Sequence, residues 1–148
     1  RVSEGSVSSQ GHPINSIKQG LVLLLGVDKG DTEEDAKYLV NKILNLRIFP
    51  NNSSQFDRSI LDINGNLLIV SQFTLSADTR KGRRPDFTSA AESPKAEILF
   101  NKTVSLFQSS GLIVKTGLFG HHMSVNIRND GPVTIIMDSS SRFRARRT

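Results

Sequence analysis

Two polar stretches contain the residue types that could do chemistry in this chain. The first is Ser-Gln-Phe-Thr-Leu, residues 71–75, which directly follows the apolar run 67–70. A polar group taken out of water costs free energy unless it finds a hydrogen-bond partner. These side chains therefore either cap a buried strand or face a ligand. Backbone N–H groups at such a strand end can also stabilise a developing oxyanion without any charged residue.

The second stretch is Asn-Asp-Gly-Pro-Val-Thr, residues 129–134. A Gly-Pro bond is one of the few places where a cis peptide is affordable, and it can hold carbonyl oxygens in a fixed orientation towards a pocket. The two stretches could form complementary halves of one site. The alternative is a capped strand end and an ordinary turn, and the residues alone leave both interpretations open.

More familiar catalytic patterns are weak. A nucleophilic hydroxyl at Ser71 or Thr74 would need a general base such as His121 or His122, but no nucleophile-elbow motif surrounds either hydroxyl. The glycines between residues 111 and 120 match no phosphate-binding motif and are typical of turns around a short strand. The chain has no cysteine and three histidines, which excludes thiolate catalysis and disfavours a zinc site. We expect neither a metal nor a cofactor.

Size and charge bound the remaining possibilities. A chain of 148 residues with 36% hydrophobic residues suits a single globular domain. No apolar run approaches the roughly 20 residues that cross a bilayer, and no signal-peptide pattern is present, so a cytoplasmic protein without membrane contact is expected. The net charge is +5, but four arginines lie in the last seven residues. The local cluster of Arg80, Lys81, Arg83 and Arg84 is either a solvated loop or a phosphate contact.

Hydrophobic periodicity predicts two helices. The first begins at the potential N-cap Asp31-Thr32 and runs to about Arg47, and the second begins at Ser93 with Pro94 in its first turn and ends before Gly111. Strands are predicted at 21–25, 67–70, 123–128 and 133–137, and Asn64-Gly65 predicts a hairpin from 59–61 into 67. Strands outnumber helices without alternating with them, which favours an α+β fold with a largely antiparallel sheet.

Together, the two stretches resemble the paired signature of the D-aminoacyl-tRNA deacylases. The similarity covers residues 1–138 as one domain and leaves 139–148 as a basic C-terminal tail. Further similar segments are 1–3, 30–32, 42–47, 77–82, 84–85 and 117–120. Members usually begin a few residues earlier, so the first strand is expected to be shortened here. The resemblance implies a barrel-like core with two main helices and a homodimer whose active site lies at the subunit interface.

The resemblance also implies an activity, which is hydrolysis of the ester between a D-amino acid, or glycine, and the 3′-terminal adenosine of tRNA. The Gly131-Pro132 bond, in cis, would reach into the partner's pocket and exclude an L side chain, with Asn129 beside it. The N–H groups of Phe73 and Thr74 would contact the substrate carbonyl, while Ser71 and Gln72 hold the shape of the site. Water, aided by the ribose 2′-hydroxyl, would attack the ester.

Looser implications concern the tRNA. Phe119 and Met123 are plausible walls for the terminal adenine, and Arg80, Lys81, Arg83 and Arg84 would contact the acceptor stem. The role of the tail is left open between RNA binding, localisation and no function. The alternative to an enzyme is a non-catalytic RNA-binding protein on the same fold.

Overall fold

The structure is a computed structural model that describes residues 1–144. Two short 3₁₀ helices accompany the main elements, at Phe73–Ser76 and Ser139–Phe143. The strands and α-helices follow one another as β1 (Val2–Ser9), β2 (His12–Ile17), β3 (Gly20–Leu25), α1 (Glu33–Asn45), β4 (Asn66–Ser71), α2 (Ser93–Gln108), β5 (Val114–Thr116) and β6 (Ser124–Asn129).

All the strands belong to one mixed sheet. Strand β1 pairs antiparallel with β2, β3 and β6, whereas β3 with β4 and β4 with β5 pair in parallel. Each parallel pair is connected through a helix, α1 or α2, because a parallel connection must cross over the sheet. The side chain of Asn15 donates to the carbonyl of Thr116 at 2.7 Å, which brings β2 beside β5 and nearly closes the sheet into a barrel.

The predicted fold is therefore confirmed in its coarse form. Two helices pack on a barrel-like sheet, but the sheet is mixed rather than largely antiparallel. The alternation β3-α1-β4-α2-β5 was hidden because residues 59–61 and 133–137 were counted as strands although they form none. Strands β1 and β2 were also missed, since Ser, Glu and Gly interrupt their apolar pattern, although Val2, Val7 and Ile17 are buried. The short strand predicted between residues 111 and 120 is confirmed as β5.

Both helices begin and end close to their predicted limits. Thr32 caps α1, and its backbone N–H and hydroxyl both bond to Asp35 Oδ2, at 2.9 and 2.8 Å, in a capping box. Pro94 lies in the first turn of α2, where its missing N–H costs nothing. Phe100 and Phe107 are the anchors of α2 in the core, with exposed fractions of 3% and 1%.

The centre of the core is β4. Its residues 67–70 are all at most 1% exposed. Leu67 and Ile69 belong to the apolar cluster beneath the helices, whereas Leu68 and Val70 belong to a second cluster inside the barrel. A strand buried on both faces is apolar throughout, which explains the continuous run in the sequence.

Two predicted elements are wrong. Residues 59–64 form turns instead of a hairpin strand, since Asp62 Oδ2 accepts bonds from the Ser59 N–H and hydroxyl at 2.7 and 2.8 Å. Residues 133–137 have no regular secondary structure and pair with no strand of the described part of the chain. The apolar residues of 133–137 are typical of a strand, but no neighbouring strand of the described chain is available to pair with them. Among residues 1–144, no helix is long and apolar enough to span a membrane.

Candidate active site at the carboxyl ends of the parallel strands

The first polar stretch lies where three parallel strands end. Leu25 of β3 and Ser71 of β4 are register partners, and β5 ends beside them at Thr116, the partner of Ile69. Ligands of sheets with parallel strands commonly bind outside these carboxyl ends, because loops diverge there and leave a crevice. The fold therefore directs residues 71–75 to the edge where a ligand is expected.

After β4 the chain turns sharply into a 3₁₀ helix. The Gln72 N–H still donates to Leu25 O at 2.9 Å, and the chain then coils through Phe73–Ser76. The Gln72 side-chain amide donates to the hydroxyl of Thr74, which fixes both side chains. Phe73 is 59% exposed and packs edge-to-face on Phe87, with 5.0 Å between ring centroids.

A glycine of the neighbouring strand gives this turn its room. A Cβ on Gly26, just after β3, would lie 3.1 Å from Gln72 O and 3.3 Å from Leu75 Cβ. Contacts this short would displace the backbone of the turn. The 3₁₀ helix can therefore pack against the end of β3 only because residue 26 has no side chain.

The working groups of the turn are two backbone amides. The N–H groups of Phe73 and Thr74 have no hydrogen-bond acceptor within residues 1–144, since the first bonds of the turn are donated by Leu75 and later residues. Two adjacent, exposed donors of this kind can stabilise negative charge on an oxygen. The turn therefore presents two uncharged donors that suit an oxyanion, and an oxyanion-binding role for them stays a prediction.

The hydroxyls lack a general base. Within the described residues, no histidine is hydrogen-bonded to Ser71 or Thr74, and the Thr74 hydroxyl bonds only to Gln72. The ring of His121 packs edge-to-face on His12 at 5.4 Å. This arrangement gives no support to a serine- or threonine-histidine nucleophile.

The second polar stretch forms a loop that is tied together by Asn129. Asn129 Oδ1 accepts from the Val133 N–H at 2.9 Å, and Asn129 Nδ2 donates to Thr134 Oγ1 at 2.7 Å. The Gly131-Pro132 peptide between these ties is cis, as the resemblance implied. Gly131 has a φ of 132°, and a Cβ there would lie 2.8 Å from Val133 Cγ2. Only glycine fits this position.

Arg1 supports the same loop from outside, a role that the sequence reasoning missed. Its side chain is 7% exposed, with Nε donating to Asp130 O at 3.0 Å and Nη1 to Ile48 O at 2.9 Å. Its backbone nitrogen donates to Val133 O at 2.9 Å. The only sequence signal was an arginine beside a strand that begins the sheet, which is too common a pattern to indicate a function.

The two stretches do not meet within one chain. The turn follows β4, whereas the loop follows β6, which pairs with the opposite edge of β1 from β2. No hydrogen bond links residues 71–75 to residues 129–134 in the described chain. The described chain therefore presents the two stretches separately, with Thr74 and Asn129 exposed and Ser71 and Gln72 half-buried.

The two predicted adenine walls have packing roles in this structure. Phe119 is half-buried against Phe100, with 5.6 Å between ring centroids. Met123 packs against the cluster inside the barrel. Both follow β5 and so lie in the connections that leave the same edge as the turn. Whether they also contact a ligand stays a prediction.

The predicted basic cluster lies in a short loop whose two ends are held together. Asp78 and Asp86 exchange backbone hydrogen bonds of 2.8 and 2.9 Å and close the loop. Hydrogen bonds from Arg80 hold the pKa of Asp78 below its usual value. Lys81, Arg83 and Arg84 are exposed and form no salt bridge with any residue between 1 and 144.

The start of the basic tail docks on α1. Arg142 forms a salt bridge of 3.1 Å with Asp35 and donates to Glu34 O at 3.1 Å. Hydrogen bonds from Thr32 and the nearby Arg142 charge hold the pKa of Asp35 below its usual value. Residues 145–148, with Arg146 and Arg147 of the predicted tail, lie outside the described residues. The division at residue 138 stays a prediction.

Comparisons with known proteins agree with this geometry. The D-aminoacyl-tRNA deacylase of Thermosipho melanesiensis is 51% identical over 144 residues, which is 97% of this chain and 96% of the relative. The enzyme of the same name from Aquifex aeolicus is 54% identical over 139 residues, 94% of each chain.

Two solved structures have the same fold. One, described as a c-Myc DNA Unwinding Element Binding Protein, is 40% identical with a TM-score of 0.84 and covers 91% of this chain and 92% of its own. The other, a probable eukaryotic D-amino acid tRNA deacylase, is 17% identical with a TM-score of 0.74 over 88% of this chain and 91% of its own, which supports the fold alone. A family model described as D-Tyr-tRNA(Tyr) deacylase matches residues 1–138. The chain belongs to the D-Tyr-tRNA(Tyr) deacylase family.

Proposed function

We propose that this protein is a D-aminoacyl-tRNA deacylase. It hydrolyses the ester that joins a D-amino acid, or glycine mischarged on tRNA, to the 3′-terminal adenosine, and so removes amino acids of the wrong chirality before translation uses them. Relatives about half identical over nearly the whole chain support the activity. The observation that carries the mechanism is the pair of Phe73 and Thr74 amides, which have no acceptor among residues 1–144, at the carboxyl edge of the sheet.

The proposed chemistry is attack by water on the ester carbonyl. As the water oxygen bonds to the carbonyl carbon, the carbonyl oxygen gains negative charge and accepts hydrogen bonds from Phe73 and Thr74. The bond to the ribose 3′-oxygen then breaks, and the proton that the attacking water loses passes to that oxygen with the help of the ribose 2′-hydroxyl. The products are the free amino acid and the 3′-hydroxyl of the tRNA. Donors already fixed before reaction need no reorganisation, and one such donor is typically worth about 10²–10³ in rate.

Side chains of the same turn have a supporting role in this proposal. Gln72 holds the Thr74 hydroxyl, and Ser71 ends β4 beneath it. Thr74→Ala keeps the backbone N–H and removes the hydroxyl. Retention of most of the activity by this variant is the expected result, and a complete loss would instead favour the hydroxyl as nucleophile.

Chiral selection is proposed to come from the other polar stretch. Gly131-Pro132, with Asn129 fixing the loop, would enter the pocket of a partner subunit and face the substrate with backbone carbonyls. A rigid wall that leaves no room for an L side chain selects against the wrong substrate without binding the right side chain. The absence of any bond between this loop and the 71–75 turn of the described chain supports action in a second subunit.

A homodimer follows from this arrangement. Directly after the loop, Ile135 and Ile136 are 53% and 95% exposed. Backbone groups of 134–137 find no partner among residues 1–144, and β6 pairs through one edge only in that range. An exposed apolar segment with unpaired backbone groups is suited to cover by another chain. Sedimentation as a monomer at micromolar concentration would contradict the dimer.

The tRNA is proposed to lie across the turn and the basic loop. Lys81, Arg83 and Arg84 would bind phosphates, with Arg80 beside them, and Phe119 and Met123 would flank the terminal adenine. A variant that removes one phosphate-binding side chain should lower the slope of log affinity against log salt by roughly 0.7–0.9. A tRNA substrate favours a cytoplasmic location.

The decisive experiment compares D-tyrosyl-tRNA with L-tyrosyl-tRNA as substrates for the purified protein. The proposal predicts release of tyrosine from the D substrate alone. The alternative, a non-catalytic RNA-binding protein on the same fold, predicts binding of both substrates without release. Release from both substrates at similar rates would leave an esterase but remove the proposed chiral selection.

A further inference from the structure

A shallow depression of about 480 Å³ opens beside the 3₁₀ helix and has no role in the proposed mechanism. It begins at Leu75, the residue after Thr74, and reaches Arg80 in the basic loop. Asp28, which follows β3, forms part of its lining. A substrate whose ester lies on the Phe73 and Thr74 amides would therefore have its neighbouring nucleotide within reach of this depression.

Arg80 presents a fixed flat surface in this depression. Its Nε lies 2.9 and 3.0 Å from the two carboxylate oxygens of Asp78, and its Nη2 lies 2.6 Å from Oδ2. Asp78 is itself fixed by its backbone pairing with Asp86. The edge of the Arg80 guanidinium is thus hydrogen-bonded to Asp78, while the Arg80 side chain remains 87% exposed. A planar guanidinium held by its edge leaves its faces open, and nucleobases stack on such faces.

The charges of the depression disfavour a phosphate. Asp28 and Asp78 contribute two carboxylates against the single guanidinium of Arg80. Asp28 accepts a hydrogen bond from the Ser76 hydroxyl, and the Ser89 hydroxyl donates to Ser76 O at 2.9 Å, so the Asp28 carboxylate is held in place. A carboxylate is a good acceptor for the exocyclic amino group of cytosine. The lining therefore suits a base with an amino group better than it suits the backbone.

The position of the depression selects the nucleotide. It lies on the β3 side of the turn, whereas Phe119 and Met123 leave the sheet on the β5 side. All tRNAs end in CCA, so the nucleotide before the terminal adenosine is a cytidine. We propose that this depression binds the cytosine base next to the terminal adenosine, with Arg80 stacked on its face and Asp28 accepting from its amino group. This inference rests on the proposed deacylase activity and changes the role of Arg80 from phosphate contact to base contact.

The test uses two D-tyrosyl-charged RNA hairpins that mimic the acceptor stem, one intact and one without the base of the penultimate nucleotide. Because stacking of one base contributes about a factor of ten, the wild-type protein should show roughly tenfold lower kcat/KM on the abasic hairpin. Arg80→Ala and Arg80→Lys should both lose roughly tenfold on the intact hairpin and much less on the abasic one. The lysine variant is informative because it keeps the positive charge and loses the flat surface.

Lys81→Ala is the matched control, since Lys81 lies in the same loop, is exposed and is proposed to bind a phosphate. Its effect should be equal on the two hairpins and should weaken with salt. Wild-type kcat/KM in Arg80→Lys, or an equal loss on both hairpins in Arg80→Ala, would overturn the inference while leaving the deacylase activity in place. Failure of the wild-type protein to release D-tyrosine from the intact hairpin would instead contradict the proposed function.

Discussion

The turn after β4 and the loop after β6 are both polar stretches, but different forces hold them. The turn continues a strand that is buried on both faces, and its first backbone bond, from Gln72 to Leu25, belongs to the sheet. The loop leaves a strand with exposed side chains and is held by the side chains of Asn129 and Arg1. The turn, to which we assign oxyanion binding, is therefore fixed by the core, and the loop, to which we assign chiral selection, is fixed by polar contacts at the periphery.

This difference teaches how stability and selectivity can be separated in one small chain. Removing core atoms behind the turn should unfold the whole protein, because β4 joins both apolar clusters. Removing the hydrogen bonds of the loop should move a wall while the rest of the fold survives. Single substitutions in the two regions test that separation, in order of decreasing effect.

Leu68→Ala should have the largest effect on stability. Leu68 is 0% exposed, and truncation of a buried leucine typically costs about 2–5 kcal/mol of unfolding free energy. Urea denaturation would measure the loss. Ile98→Ala, at a side chain that is 71% exposed on α2, is the control and should change stability by less than about 0.5 kcal/mol. Equal losses in the two variants would deny β4 its central role.

Arg1→Ala should lower stability less but impair selection more. The variant leaves the carbonyls of Asp130 and Ile48 without these donors, a loss of about 1–3 kcal/mol. We expect the ratio of kcat/KM for D-tyrosyl-tRNA to that for L-tyrosyl-tRNA to fall roughly tenfold, because about 1.4 kcal/mol of lost discrimination corresponds to that factor. Arg1→Lys keeps the positive charge but not the two guanidinium donors, and its effect should lie between those of wild type and Arg1→Ala. If Arg1→Ala keeps the wild-type ratio of activity on the D and L substrates but loses stability, Arg1 only supports the fold.

Asn129→Ala should change selectivity and lower stability slightly less than Arg1→Ala does. It removes two exposed hydrogen bonds of the loop, worth in sum about 1–2 kcal/mol. The ratio of kcat/KM for D- and L-tyrosyl-tRNA should shrink, because the wall is no longer fixed. Asn126→Ala removes one 3.3 Å bond from the same strand and should preserve the ratio. A preserved ratio in both variants would mean that other contacts fix the wall.

The smallest effect concerns Asp35, which anchors the segment after the loop through Arg142. Its folded pKa lies below the usual 3.8, so its contribution to stability is present above the unfolded pKa and is lost as pH falls through the folded pKa. Asp35→Asn should therefore be about 1 kcal/mol less stable than wild type at pH 7, and the difference should fade below pH 3.8. A difference independent of pH would exclude the carboxylate charge as its source.

Local signals were sufficient to predict much of the fold. The capping residue Thr32, the early Pro94 and apolar spacing indicated both helices, and the apolar run indicated β4. Strands β1 and β2 carry no such pattern, since their few buried residues are separated irregularly by small and polar residues. Asn64-Gly65 indicated a turn correctly, but the Asp62 carboxylate captures Ser59 and keeps the preceding residues out of a strand.

The candidate site was predictable in its motifs and not in its supports. Residues 71–75 were recognised as polar groups at a strand end, but the 3₁₀ helix that frees the Phe73 and Thr74 amides depends on the close approach of Gly26. The contacts of Arg1 with the loop join residues more than a hundred positions apart. Pairing of Arg80 with Asp78 is local, yet charge alone left the basic run open between a solvated loop and a phosphate contact and did not distinguish Arg80 from its neighbours.

Segment 134–137 makes the newly synthesised chain prone to aggregation until a partner covers it. Its exposed isoleucines and its backbone groups, which find no partner in residues 1–144, have the properties by which one polypeptide can template another into cross-β aggregates. Cover by a correct partner is second order in concentration, so a chain synthesised slowly stays open for longer. In the proposed dimer the partner would cover the same residues, so assembly would remove the feature that favours aggregation.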